Sequence, residues 1–138
     1  FVYARLVLHY LSSQDLDNVL REFHRVTKEE GRLFIVVRSV ENVNYDDESI
    51  EYDEKSKLTT EIYRDDRGRA IGKGKRYFHT PESIIKHIER AGFEVVGVGE
   101  YEEQLYRDFM RREKASKVDY LVEVTAKNRS SSEVCQEK

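Results

Sequence analysis

The chain has 138 residues, 37% of them charged and 38% apolar, with a formal net charge of −3 and a single cysteine. That length supports one domain with a core of its own, and so evenly charged a surface offers no general attraction to nucleic acid or to an anionic membrane. One thiol, Cys135 in the polar tail NRSSSEVCQEK, rules out an internal disulfide; the longest apolar run, LFIVV, is too short to span a bilayer, and no signal-like segment leads the sequence, so a cytoplasmic location is expected.

The opening run FVYARLVL predicts a strand over residues 1–8, an apolar start with no polar lead-in, unlike an ordinary frayed terminus. A helix follows: Ser12 can accept from first-turn amides, Asp15 suits the positive helix end, and Leu16, Val19, Leu20, Phe23 and Val26 form one apolar stripe. Gly31 is expected to close it as a left-handed cap. RLFIVVR then reads as a strand covered on both faces, because its apolar residues run without alternation. Strand, helix and strand with short connections favour parallel pairing through a right-handed crossover.

From Glu41 to Glu54 there are seven acidic residues and no lysine or arginine, which reads as a loop or partly ordered insertion. A hairpin is predicted next, with KLTTEIYR and GKGKRYFH as its arms around the turn DDRG. HTPESIIKHIERAGF carries the strongest local signal: Thr80 as N-cap, Pro81 at the first helical position, Ile84, Ile85, Ile88 and Ala91 inward, Gly92 closing. FEVVGVGEYE predicts a strand and QLYRDFMRREK a short helix or ordered excursion with Leu105 and Phe109 four apart. VDYLVEVTA alternates as an antiparallel strand does, with Val118, Tyr120, Val122, Val124 and Ala126 on one face, and residues 128–138 read as a disordered tail.

Two phosphate-binding patterns fail on inspection. Gly68 and Gly72-Lys73 are one residue too close for a phosphate loop, and Gly97 and Gly99 lie within a predicted strand, with Glu102 where a dinucleotide fingerprint needs its last glycine. RDDRGRAIGKGKRYFH gathers six basic residues around two aspartates, which could contact a phosphate-bearing substrate or RNA, although a solvated hairpin pairing with the acidic insertion is the plainer reading. Nucleic acid is not expected as a partner, because stacking aromatics beyond Tyr77 and Phe78 are lacking. The four histidines show no ligand spacing, so no metal site is expected.

The succession of VYARLVLHYL, the EEGRLFIVV strand, HTPESIIKHIERAGFEVV and a terminal DYLVEVTAK resembles the C-terminal half of a class I S-adenosylmethionine-dependent methyltransferase over residues 1–127. The resemblance implies an α/β, three-layer, Rossmann-like sheet with a terminal antiparallel strand, and S-adenosylmethionine as cofactor. It makes the opening run the family's fourth strand, so that Phe1 is expected to be an artificial or incomplete start. The family's glycine-rich loop and ribose-binding acid have no counterpart here, and the isolated chain is expected to be inactive. Beside its missing neighbour the first strand would leave an apolar edge prone to self-association.

Ligands of open α/β sheets bind outside the carboxyl ends of parallel strands, which points to Ala4–His9 and to Arg38 and Ser39. By resemblance Ala4, Arg5 and Leu8 lie beside the methionine moiety, while His9 and Tyr10 face a small-molecule acceptor. His79, at a helix start, could reach the acceptor as a base, although a solvated joint residue is the plainer reading. Leu8 has a plainer reading as core, and His9 as a ring bonded to a backbone carbonyl. The insertion and hairpin at 41–79 are expected to wall the acceptor pocket. The alternative function is a non-catalytic dimerisation or partner-docking module that completes its open strand edge with another chain.

Overall fold

The computed structural model describes residues 1–42, 50–56 and 58–128. The predicted tail from residue 129 onward, with Cys135, and the middle of the acidic insertion lie outside those residues. Among them, strands β1 (Val2–Arg5), β2 (Arg32–Arg38), β6 (Phe93–Tyr106) and β7 (Lys114–Asn128) form one sheet in the order β1-β2-β7-β6. The β1–β2 pair is parallel, and β7 runs antiparallel between β2 and β6. A second sheet, β3 (Ile50–Asp53), β4 (Leu58–Arg64) and β5 (Ala70–Tyr77), is inserted between β2 and the second helix.

Helices α1 (Ser13–Val26) and α2 (Pro81–Arg90) cover one face of the main sheet. Leu16 and Leu20 of α1 and Ile84 and Ile88 of α2 meet Leu33, Ile35 and Val37 of β2 and Val122, Val124 and Ala126 of β7. This mixed α/β arrangement presents two layers of the expected three among the described residues. Its local starts follow cap chemistry: the Ser12 hydroxyl accepts from the Asp15 amide, and Thr80 and Ser83 cap each other reciprocally ahead of Pro81. β2 buries Leu33, Ile35 and Val37 under the helices, and on its other face Val36 is as enclosed as they are while Phe34 is half-buried.

Several boundaries differ from expectation. β1 stops at Arg5, because Leu6 adopts a left-handed φ of 58° and turns the chain into a single 3-10 turn, Leu8–Tyr10. α1 ends at Val26, which is exposed, and the left-handed residue beyond it is Glu30 and not Gly31. Gly31 is needed for close approach instead: a Cβ there would lie 2.4 Å from the Thr27 methyl. Residues 50–53, assigned to the acidic loop, form a strand because they pair with β4. QLYRDFMRREK contains no helix. β6 runs on through Tyr106 and turns back at Asp108, whose carboxylate accepts the amides of Arg112 and Glu113, leaving Phe109 exposed at the tip. Asn128, assigned to the tail, is the buried last residue of β7, its side-chain amide donating to the Thr27 carbonyl at 2.9 Å.

Candidate active site

The carboxyl ends of the parallel pair β1–β2 meet three other elements at one place. The 3-10 turn after β1 buries His9, β5 packs against that turn, and the segment before α2 joins the end of β2 through an isolated parallel bridge between Ser39 and His79. The His79 amide donates to the Arg38 carbonyl at 3.0 Å and the Val40 amide to the His79 carbonyl at 3.1 Å. These backbone bonds fix the entry of α2 against the end of β2.

Charges at this point are mostly matched. Arg38 Nε donates to both oxygens of the buried Asp119 at 3.0 and 3.2 Å, and its guanidinium lies over the Phe78 ring. His79 Nδ1 is 3.1 Å from the Ser83 hydroxyl, and its ring meets His87 edge-on; His87 Nδ1 is in turn 2.6 Å from Asp17 of α1. His9 differs. Its Nδ1 has no hydrogen-bond partner among the described residues. Burial, and then the positive charges of Arg38, Arg76 and His79, push its pKa down to about 4, so the ring is neutral at pH 7. Tyr10 is half exposed, its ring centroid 4.5 Å from that of His9 and 5.3 Å from the Arg76 guanidinium carbon.

The long β6–β7 hairpin closes the other flank. Because β7 pairs with β2 only as far as Leu121 opposite Arg38, the rest of the hairpin overhangs the strand ends. It curls back far enough for Glu103 to form an ion pair with Arg5 at the end of β1. A cleft of about 510 Å³ lies between Arg5 and the hairpin, bordered by Glu103, Tyr106 and Arg111. A smaller one of about 150 Å³ lies between Ser39 and Tyr101.

Residues 1–35 match the family model of a methyltransferase domain. The solved structures that resemble the chain include the CcbJ methyltransferase of Streptomyces caelestis, at 13% identity and TM-score 0.61 over 94% of this chain and 57% of that one. An S-adenosylmethionine-dependent methyltransferase of Clostridium acetobutylicum aligns at 16% identity and TM-score 0.56 over 93% and 57% of the two chains. One of Methanosarcina mazei aligns at 12% identity and TM-score 0.58 over 94% and 59%. The chain has the Rossmann-like methyltransferase fold. It spans less than two thirds of the length of each of these structures. No curated protein matches the sequence.

Within this methyltransferase fold, His9, Tyr10, Arg38, Ser39 and His79 come together as a group. His79 is buried, which corrects its plainer reading as a solvated joint residue. Ala4 and Leu8 are members of the hydrophobic core, and Arg5 alone of the three cofactor candidates has a partly exposed side chain, facing the larger cleft. Arg76, Asp119 and Glu103 were not singled out from the sequence. Asp119 was one of two acids in the strand VDYLVEV and Arg76 one of six basic residues, with nothing local to distinguish either.

Proposed function

We propose that this chain supplies the later half of an S-adenosylmethionine-dependent methyltransferase domain and builds the acceptor side of its active site. The observation that carries the reading is the position of the His9, Arg38 and His79 group outside the carboxyl ends of the only parallel strand pair among the described residues, where α/β sheets bind their ligands. The bound cofactor would supply an activated methyl group. Arg5, partly exposed and paired with an equally exposed Glu103, fits the charged methionine end, while Ala4 and Leu8 support the turn from within the core. His9 and Tyr10 would face a small-molecule acceptor. Neutral at pH 7 and without a partner on Nδ1 among the described residues, His9 offers that nitrogen to the acceptor as a hydrogen-bonding group. Ser39 and His79 hold the pocket floor, and the inserted sheet, docked on the 3-10 turn through β5, forms a wall over it.

A second reading has its own support. β1 is an edge of the described sheet, with Phe1 and Tyr3 exposed beside it, which suits a docking module that pairs with another strand. Calorimetric titration of S-adenosylhomocysteine into the full polypeptide containing this chain separates the two. Binding supports the methyltransferase, and absence of binding by the folded polypeptide refutes it.

A further inference from the structure

Three arginines stand close to the strand ends and the 3-10 turn, and two are already answered. Arg38 has both oxygens of Asp119, and Arg5 has Glu103. Arg76 is different. Its Nη1 donates to the neutral Tyr63 hydroxyl at 3.2 Å, and its nearest carboxylate, Glu61, stands 3.8 Å away and half exposed, where water screens it. Its Nε is buried with no hydrogen-bond partner among the described residues, as is His9 Nδ1. These two atoms come from β5 and the 3-10 turn, 67 positions apart in the chain, and their side chains share the Tyr10 ring as a neighbour. Buried polar atoms nearly always find partners, so two left over on side chains that share one aromatic neighbour, with Arg76 close enough to His9 to act on its charge, describe the ligand that completes them.

We propose that the methyl acceptor carries a carboxylate, held by the Arg76 guanidinium and by His9 through Nδ1–H; this rests on the methyl-transfer reading above. A guanidinium offers Nε–H and an Nη–H along one edge, and that planar fork matches the two oxygens of a carboxylate. The neutral imidazole in its Nδ1–H tautomer donates to one of the same oxygens. Arg76 is the one cation of the group whose charge is left largely unanswered, which suits a monoanion. A phosphate, with close to two charges and three acceptor oxygens, calls for a second free cation, and Arg38 is committed to Asp119. The anion would fix the acceptor's orientation, and Glu61 swings to water when it arrives.

The test uses benzoate, benzamide and inorganic phosphate as probes, titrated into the chain while the ring protons of His9 are followed by NMR. Benzoate is expected to shift them saturably, with benzamide, the same ring without the charge, at least about tenfold weaker. R76Q is expected to weaken benzoate binding by a similar factor and R76K, which keeps the charge but not the fork, by less; unchanged ring signals of His24 and His87 confirm that both variants are folded. Equal binding of benzoate and benzamide, or unchanged affinity in folded R76Q, overturns the proposal, and phosphate binding more tightly than benzoate overturns the carboxylate assignment. Benzoate bound through Arg76 in a full polypeptide that does not bind S-adenosylhomocysteine refutes the methyl-transfer reading and leaves the anion site standing. The converse pattern refutes the anion site alone.

Discussion

His9 ties stability to pH in a way that can be worked out from its surroundings. Burial beside Arg38, Arg76 and His79 holds its pKa at about 4, whereas an unfolded chain returns it to the ordinary value of 6.5. Above pH 6.5 both states are neutral at this residue and it contributes no pH dependence. As the pH falls below 6.5 the unfolded chain takes up a proton that the folded protein refuses, so stability falls until the folded ring also protonates near pH 4. The 2.5-unit interval between those two pKa values corresponds to a ceiling of about 3 kcal/mol, of which about 2 kcal/mol is lost between pH 8 and pH 5. Urea unfolding of the wild type and of His9→Phe, at pH 8, 7, 6 and 5, isolates this contribution, because the other titrating groups are common to both proteins. The wild-type stability should fall by about 2 kcal/mol more than that of the variant over this range. Parallel curves would refute the reasoning, and so would a His9 ring-proton titration with a midpoint near 6.5.

Three further outcomes are expected. Asp119→Leu strands the Arg38 guanidinium beside an apolar group and should cost about 3 kcal/mol in urea unfolding, and the double variant Arg38→Leu/Asp119→Leu should recover more than half of that loss, since removing both charges leaves neither unpaired. Gly92→Ala should destabilise by more than about 1 kcal/mol, because φ is +107° there and a Cβ would stand 2.8 Å from His24 Nε2; a neutral effect on the melting temperature would contradict this. The open β1 edge should make the chain self-associate, and Tyr3→Lys should lower the sedimentation-average mass at high concentration, whereas a wild-type chain that stays monomeric would show the edge to be innocuous.

What could be read from the sequence follows the range of the forces involved. The start of α2 was legible because its cap is local: Thr80, Pro81 and Ser83 act on amides within one turn. β2 was legible because a strand covered on both faces has no polar face to interleave. The far half of β6 was not. Leu105 and Phe109 stand four apart, as on a helix, but pairing with β7 decides the backbone, and Phe109 ends fully exposed at the hairpin tip. The cap of α1 was misplaced by four residues because glycine suggested a left-handed cap at Gly31, whereas the chain leaves the helix at Thr27, whose hydroxyl bonds back to the Phe23 carbonyl at 2.5 Å. In the candidate site, His9, Arg38 and Ser39 followed from the rule that places ligands at strand ends, and His79 from its place at a helix start. Asp119 and Glu103 reach it through sheet order and Arg76 through the docking of the second sheet, and no local pattern carries that information.

Sheet order also explains why the site is charged at all. Inserting β7 antiparallel between β2 and β6 brings the start of β7 to the carboxyl end of β2, so Asp119 arrives beside Arg38 from 81 positions away. The same insertion forces the β6–β7 hairpin to project past the parallel strands, and its curl carries Glu103 across to Arg5. Each carboxylate neutralises one arginine that would otherwise repel its neighbours at the crowded strand ends. Arg76 enters from a different sheet, outside that pairing scheme, and it is the arginine whose charge the fold leaves for a ligand. A parallel last strand would have sent Asp119 to the opposite end of the sheet. The antiparallel one therefore does more than complete the hydrogen bonds of β2: it sets which cations at the site are spent on structure and which remains for chemistry.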